Sequence, residues 1–370
     1  MDGYRLATGK AVDDVIDDIA SDIDRAVNRR LLTSYTDNMT RAVQGVFPDA
    51  GYGSRYHDIA HRLEANAARF AAYKAYHATE QVKRQLTSPG TPDECRQRAR
   101  GALRAFNRYQ AAEYNTAVAR CRTARQWIGF DDATHRELFP HLRWLPSRSA
   151  TPREQHMPYY NRVWAKDDPF WTQNQPGNLW NCKCDWEETA DDIDHDGVTV
   201  TPPPPSLAGN PAITGEIFTN KAAYIANAGK DGEGICRKSN FSLLKKKAKN
   251  HPLLQKQTTC VADGVNYDVE FTRFGIEEYV QSMFWHRNFW LKNTLLDSMP
   301  DIIKNAQYVG KKVCDTTHNS GRKLKIKQQT DYFYYYRISL PGGDSAILHL
   351  GRWKNNHKMY LYTITNKVNI

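Results

Sequence analysis

No stretch of this sequence is apolar for long enough to cross a bilayer, and its opening residues, MDGYRLATGKAVDDVIDDIA, contain no apolar leader run. The expectation is a soluble chain, made in the cytoplasm, with no membrane partner. Cysteine is scarce: seven in 370 residues, an odd number scattered from Cys95 to Cys314, which argues against a disulfide framework and predicts reduced thiols. No second pair accompanies Cys182 and Cys184, and Cys-x-Cys is less typical of structural zinc than Cys-x-x-Cys. His156 lies nearby in sequence and keeps zinc as the alternative, but buried, metal-free thiols are the reading adopted. His57 and His61 share a helical spacing without an acidic or sulfur partner at ligand distance. The acidic run at 191–197, DDIDHDG, starts like a calcium loop but lacks the glutamate at its twelfth position. Neither a metal nor a cofactor is expected.

What is present is charge, and it is uneven. Residues 221–370 hold 24 Lys and Arg against 12 Asp and Glu, leaving 27 basic and 29 acidic residues in 1–220. Clustered cations gain by displacing counterions from phosphates, so the basic part points to a polyanion partner, with a solvated basic surface as the alternative. At this length the chain is expected to form more than one domain.

Taken in order, residues 11–47 carry Val12, Ile16, Ile19, Ile23, Val27 and Leu31 at helical spacing, and a second helical run extends to about Leu86. Thr91, Pro92 and Glu94 form a capping box that starts a long helix reaching about Ile128. Eight arginines from Arg96 to Arg125 line it, including Arg120, and these are candidates for contact with a neighbouring chain or nucleic acid. The four prolines at 202–205 favour extended geometry, so a linker without a core is expected there. In the basic part, the reading is helices first, through about Tyr308, then strands at KLKIKQQ, DYFYYYRISL, SAILHLGRW and MYLYTITNKV. The fold class expected is α+β multidomain: a mostly helical module with an irregular Trp/Cys-rich loop unit, then helices followed by an antiparallel meander.

Residues 168–188, DPFWTQNQPGNLWNCKCDWEE, hold three tryptophans between prolines, a glycine and asparagines, which predicts an ordered, packed loop. With RWLPSRSATPREQH at 143–156 and the closing Trp180-Asn-Cys-Lys-Cys184, this unit resembles the head-morphogenesis domain of tailed-phage minor capsid proteins, the Mu F-like family. Lys183 stands where that family usually has arginine, and His156-Met-Pro-Tyr-Tyr160 replaces its His-x-x-x-Asp-Gly. The resemblance covers about 90–190 and implies a virion-associated protein with portal and capsid proteins as partners.

The basic region, with Trp285-His286-Arg287-Asn288, Asn305-Ala-x-Tyr-Val-Gly310, a tyrosine-rich strand and a closing Tyr-Thr-Ile-Thr, resembles phage-associated nuclease toxins related to barnase, EndoU, colicin and RelE. That resemblance implies an RNA substrate and an immunity protein. Metal-free RNA cleavage needs a base, an acid and cations around the phosphate. The candidates are His286 and His349 as proton carriers, Lys292 and Arg337 for the phosphate, and Tyr336 or Thr363 as hydroxyl donors; Tyr332 to Tyr336 are candidates for base stacking. The domain expectation is 1–88 helical, 89–195 Mu F-like, 196–234 proline-rich linker and 235–370 nuclease-like. Two rival functions stand beside it: a purely structural protein binding capsid or packaged DNA, and a secretion-system toxin with a borrowed capsid module.

Overall fold

The computed structural model describes residues 9–281, 288–317 and 319–366. The architecture is α+β, and the chain divides into two compact units, Met1–Ala50 with Ser54–Cys236, and Arg237–Ile370 with Gly51–Gly53.

The first unit begins with helices α1 (Gly9–Ser21), α2 (Arg29–Gln44), α3 (His57–Leu86), α4 (Pro92–Arg108), α5 (Gln110–Phe130) and α6 (Ala133–Leu138). The single helix expected over 11–47 is two, because Asn28 starts a new one: its side chain accepts from Leu31 N while its own amide is held by Thr79 Oγ1. The capping box at Thr91 forms as expected, but the helix it opens is interrupted at Tyr109. Alanines at 65, 67, 71, 72, 75 and 78 line the buried face of α3, and their small size lets α2 and α4 approach closely. Inside, the Lys74 ammonium is paired with Glu113, whose other oxygen accepts from Tyr224 Oη at 2.9 Å. Both ions are enclosed and each satisfies the other.

Three short strands, β1 (His141–Leu145), β2 (Val163–Ala165) and β3 (Asp185–Thr189), make an antiparallel sheet ordered β2-β1-β3. Onto it packs the aromatic cluster of Trp144, Tyr159, Trp164, Phe170, Trp171 and Trp186, with α7 (Phe170–Gln173) in its middle. Trp164 stacks on Phe170 at 4.3 Å and Trp144 on Trp171 at 6.3 Å. The loop is therefore packed, as its tryptophans require. Even the acidic run joins it, through a bridge between Val163 and Asp194 and the stacking of His195 on Trp164.

The proline segment departs from expectation. Leu207, Asn210, Ile217 and Phe218 are fully enclosed, and short helices α8 (Pro211–Thr214) and α9 (Ala223–Ala226) follow. The cause is Arg120, itself 0% exposed, which donates to the carbonyls of Leu207, Gly209 and Glu216. A guanidinium supplies several donors in one plane, so it satisfies an irregular backbone that has no ladder of its own. Several other arginines of these helices are also engaged: Arg96 with Asp17, Arg100 with Asp13 and Arg125 with Asp49. These pairs tie the unit together within the chain.

Helix α10 (Gly232–Lys247) leads into the second unit, which has β4 (Gln257–Ala262), β5 (Val265–Glu270), α11 (Arg273–Gln281), α12 (Phe289–Thr294), α13 (Met299–Asn305), β6 (Gln307–Val313), α14 (Gly321–Gln328), β7 (Thr330–Ser339), β8 (Ser345–Trp353) and β9 (Met359–Thr365). The six-stranded sheet runs β4-β5-β9-β8-β7-β6. Strands β6 to β9 are the antiparallel meander, but β5 joins β9 in parallel, so the sheet is mixed. Residues 323–329, expected as a strand, fall on α14 as far as Gln328: Lys, Leu and Gln are good helix formers, and their alternation imitated a strand. The helical reading through Tyr308 overran β6. One sheet face carries Tyr334, Tyr336, Ile338, Leu348 and Ile364 into the main core with Ile276, Tyr279 and Met299. The other carries Phe333, Tyr335, Ile347, Tyr360 and Tyr362, packed with Phe274 of α11 and Ile326 of α14. At Gly275 a Cβ would collide with the Leu361 carbonyl oxygen, so glycine allows α11 to lie directly on β9.

Candidate functional site

In the basic unit, strand register decides which candidates meet. Tyr335 pairs with His349 and His349 with Thr363, while Arg337 pairs with Ile347 and Ile347 with Thr365. Cross-strand partners share a face, so His349, Thr363 and Arg337 occupy two adjoining rows on one side of the sheet. His349 is 8% exposed, its Nε2 lies 3.0 Å from Thr365 Oγ1, and the Tyr335 ring meets it edge-on at 4.7 Å. Burial pushes its imidazole down to about 4, so the ring is neutral at pH 7. Arg337 is exposed and Thr363 half-buried. Thr365 was missed in the sequence because register alone brings it there.

The remaining candidates lie elsewhere. Tyr336 points into the opposite core and donates to Cys260 Sγ at 3.2 Å. Lys292 is fully enclosed, bonded to the Tyr279 carbonyl, and its burial lowers its pKa well below the usual range. An ammonium so placed is out of reach of a phosphate, which corrects its expected role. His286 lies outside the described residues. The base-stacking reading of 332–336 is corrected too: Phe333 to Tyr336 are all buried, because both sheet faces are packed.

A second constellation lies in the Trp/Cys-rich unit. His156, on a 3-10 turn (Glu154–Tyr159), and the two cysteines leading into β3 converge: His156 Nδ1 is 3.3 Å from Cys182 Sγ and 3.6 Å from Cys184 Sγ. The other ring nitrogen, Nε2, is 2.7 Å from the buried Asn178 Oδ1. An amide oxygen can only accept, so Nε2 carries the proton and Nδ1 presents its lone pair to the sulfurs. The Cys184 contact pulls the Cys182 thiol down, whereas the same contact and burial push Cys184 up. Both cysteines line a cleft of about 530 Å3, together with Tyr114, Arg122, Arg148 and Lys183. The sequence placed His156 beside the cysteines only by proximity in the chain; Asn178 carried no such signal.

With this geometry in hand, the comparisons with known proteins are narrow. Residues 239–360, nearly the whole basic unit, match the family described as large polyvalent protein-associated domain 3. The chain thus carries a region similar to a domain associated with large polyvalent proteins. No curated protein and no solved structure matches it. Among the described residues no helix is long and apolar enough to cross a membrane.

Proposed function

We propose that this is a phage-associated protein of the polyvalent kind, in which a Mu F-like head-morphogenesis module is joined to a basic effector that cleaves RNA without a metal. The observation that carries the reading is a conjunction within one chain. A Trp-Asn-Cys-Lys-Cys unit packed around His156 precedes a region matching large polyvalent protein-associated domain 3. Portal and capsid proteins would be the partners of the first part, and RNA and an immunity protein those of the second; the site of action is the virion and then the infected cell.

The chemistry assigned to the effector uses the sheet face that carries His349, Arg337 and Thr363. His349, neutral at pH 7, takes the 2′-hydroxyl proton; the freed oxygen attacks phosphorus, and the bond to the 5′-oxygen breaks as that oxygen receives a proton from a second group. His286 is the candidate for that acid. Arg337 meets the charge on the phosphate and Thr363 orients it by hydroxyl donation.

The test uses the full chain on total RNA in the presence of EDTA. Cleavage should fall by about 10²- to 10⁴-fold in His349→Ala, as expected for a lost general base. Arg337→Ala should mainly weaken binding and flatten its salt dependence. A second reading, nucleic-acid binding without catalysis, draws on the burial of His349 and on 24 basic against 12 acidic residues in 221–370. RNA binding with no cleavage by the unaltered chain would select it.

A further inference from the structure

We propose that His156 Nδ1, Cys182 Sγ and Cys184 Sγ are three ligands of a site for a thiophilic divalent cation of the zinc class, independent of any activity in the basic unit. This reverses the metal-free expectation drawn from the Cys-x-Cys spacing, because the third ligand comes from a turn more than twenty residues away.

Three observations converge. The first is distance. Zinc bonds of about 2.0–2.1 Å to nitrogen and about 2.3 Å to sulfur, at tetrahedral angles, put a ligand nitrogen and sulfur about 3.5 Å apart. The two nitrogen–sulfur separations are 3.3 and 3.6 Å, and all three ligand atoms lie within 4.8 Å of one another. The second is the outer layer. Asn178 Oδ1 fixes the imidazole tautomer that leaves Nδ1 free for a cation, the arrangement by which metal-bound histidines are oriented. The Cys184 amide also points at Cys182 Sγ at 3.4 Å, a contact that favours thiolate.

The third is unused donors. Trp144 Nε1 and the Tyr160 hydroxyl are buried without a geometrically formed hydrogen bond, yet both sit beside Cys184 and interact with its sulfur. Buried donors without acceptors are costly, and Cys184 Sγ, packed against the same aromatic cluster, is the acceptor beside them. Two thiolates with a divalent cation are neutral as a group, so the assembly suits an enclosed position. The cysteines line the 530 Å3 cleft, which leaves the fourth coordination position within reach of water. The cation would clip the 154–159 turn to the lead of β3, a structural role.

The experiment is a titration of the reduced, chelator-treated full chain with Zn2+ and, separately, with Co2+. One equivalent should bind per chain, with a thiolate-to-cobalt absorption band and a rise in thermal unfolding temperature. Cys182→Ser, Cys184→Ser and His156→Ala should each abolish stoichiometric uptake, and Asn178→Ala should weaken it by about 10- to 100-fold while leaving the band. Absence of saturable uptake by the unaltered reduced chain overturns the proposal, whatever the variants do. Uptake that survives loss of either cysteine, or a Cys182–Cys184 disulfide in chain isolated under reducing conditions, overturns it as well.

Discussion

A histidine enclosed within a sheet makes stability follow pH, and His349 is such a residue. Burial holds its folded pKa at about 4 against an ordinary 6.5. Above pH 6.5 the ring is neutral in both states and its contribution is complete. As pH falls, the unfolded chain takes up a proton that the folded one refuses, so the contribution drains away and is gone below about 4. The full loss is on the order of 3 kcal/mol. Denaturant unfolding from pH 7.5 to 4.5 should therefore show falling stability, with a shallower fall in His349→Gln. Identical slopes in the two proteins would refute the assignment. His61, also held near 4 by burial, and His251, lowered by burial as well, contribute to the slope that remains. At this scale the sequence was partly legible. His349, Thr363 and Arg337 lie on strands whose apolar runs were plain, so their shared face follows from pairing. Tyr336 failed by parity, since one step along a strand reverses the face. Lys292 failed because a lysine buried against a backbone carbonyl has the same letter as one in solvent.

Among elements, the proline segment shows how far a local rule reaches. Four prolines exclude a ladder, which is correct, but they do not exclude burial when another element supplies the donors. Arg120 of α5 does so from more than eighty residues away, and no pattern around it distinguishes it from its solvated neighbours. Limited proteolysis of the unaltered chain should consequently spare residues 199–212 at first. In Arg120→Met the Leu207 and Glu216 carbonyls lose the guanidinium that donates to them and Gly209 keeps only Gln175 Nε2, and the earliest cut should move into that segment. Early cutting there in both proteins would show that the arginine does not hold it. The Trp-rich loop was legible for the opposite reason: large aromatic rings bury themselves wherever a sheet offers a surface.

At the scale of the whole molecule the charge division remains the strongest physical fact, with 24 basic against 12 acidic residues in 221–370. Lys245, Lys246 and Lys247 of α10 are exposed, as is Lys249 beyond it. RNA or DNA binding by the full chain should weaken steeply with salt, and each lost phosphate contact should lower the logarithmic slope by about 0.7–0.9. Replacing Lys245, Lys246 and Lys247 together by glutamate should reduce both affinity and slope, measured by fluorescence anisotropy between 50 and 200 mM salt, a range over which about 10³-fold changes are usual for multi-contact binders. Unchanged slopes would place the polyanion contact on other residues.

The sheet order also sets a clock. Strand β9 lies between β5 and β8, so the β4–β5 hairpin, finished at Glu270, has no sheet neighbour until the ribosome has passed Met359. At about 5–20 residues per second, that wait is on the order of 5–20 s. During it the hairpin offers an open edge, of the sort that chaperones or a second nascent chain can occupy. Translation thus imposes a delay on the basic unit: every residue on the His349 face is synthesised before the strand that completes the sheet, except those β9 itself brings.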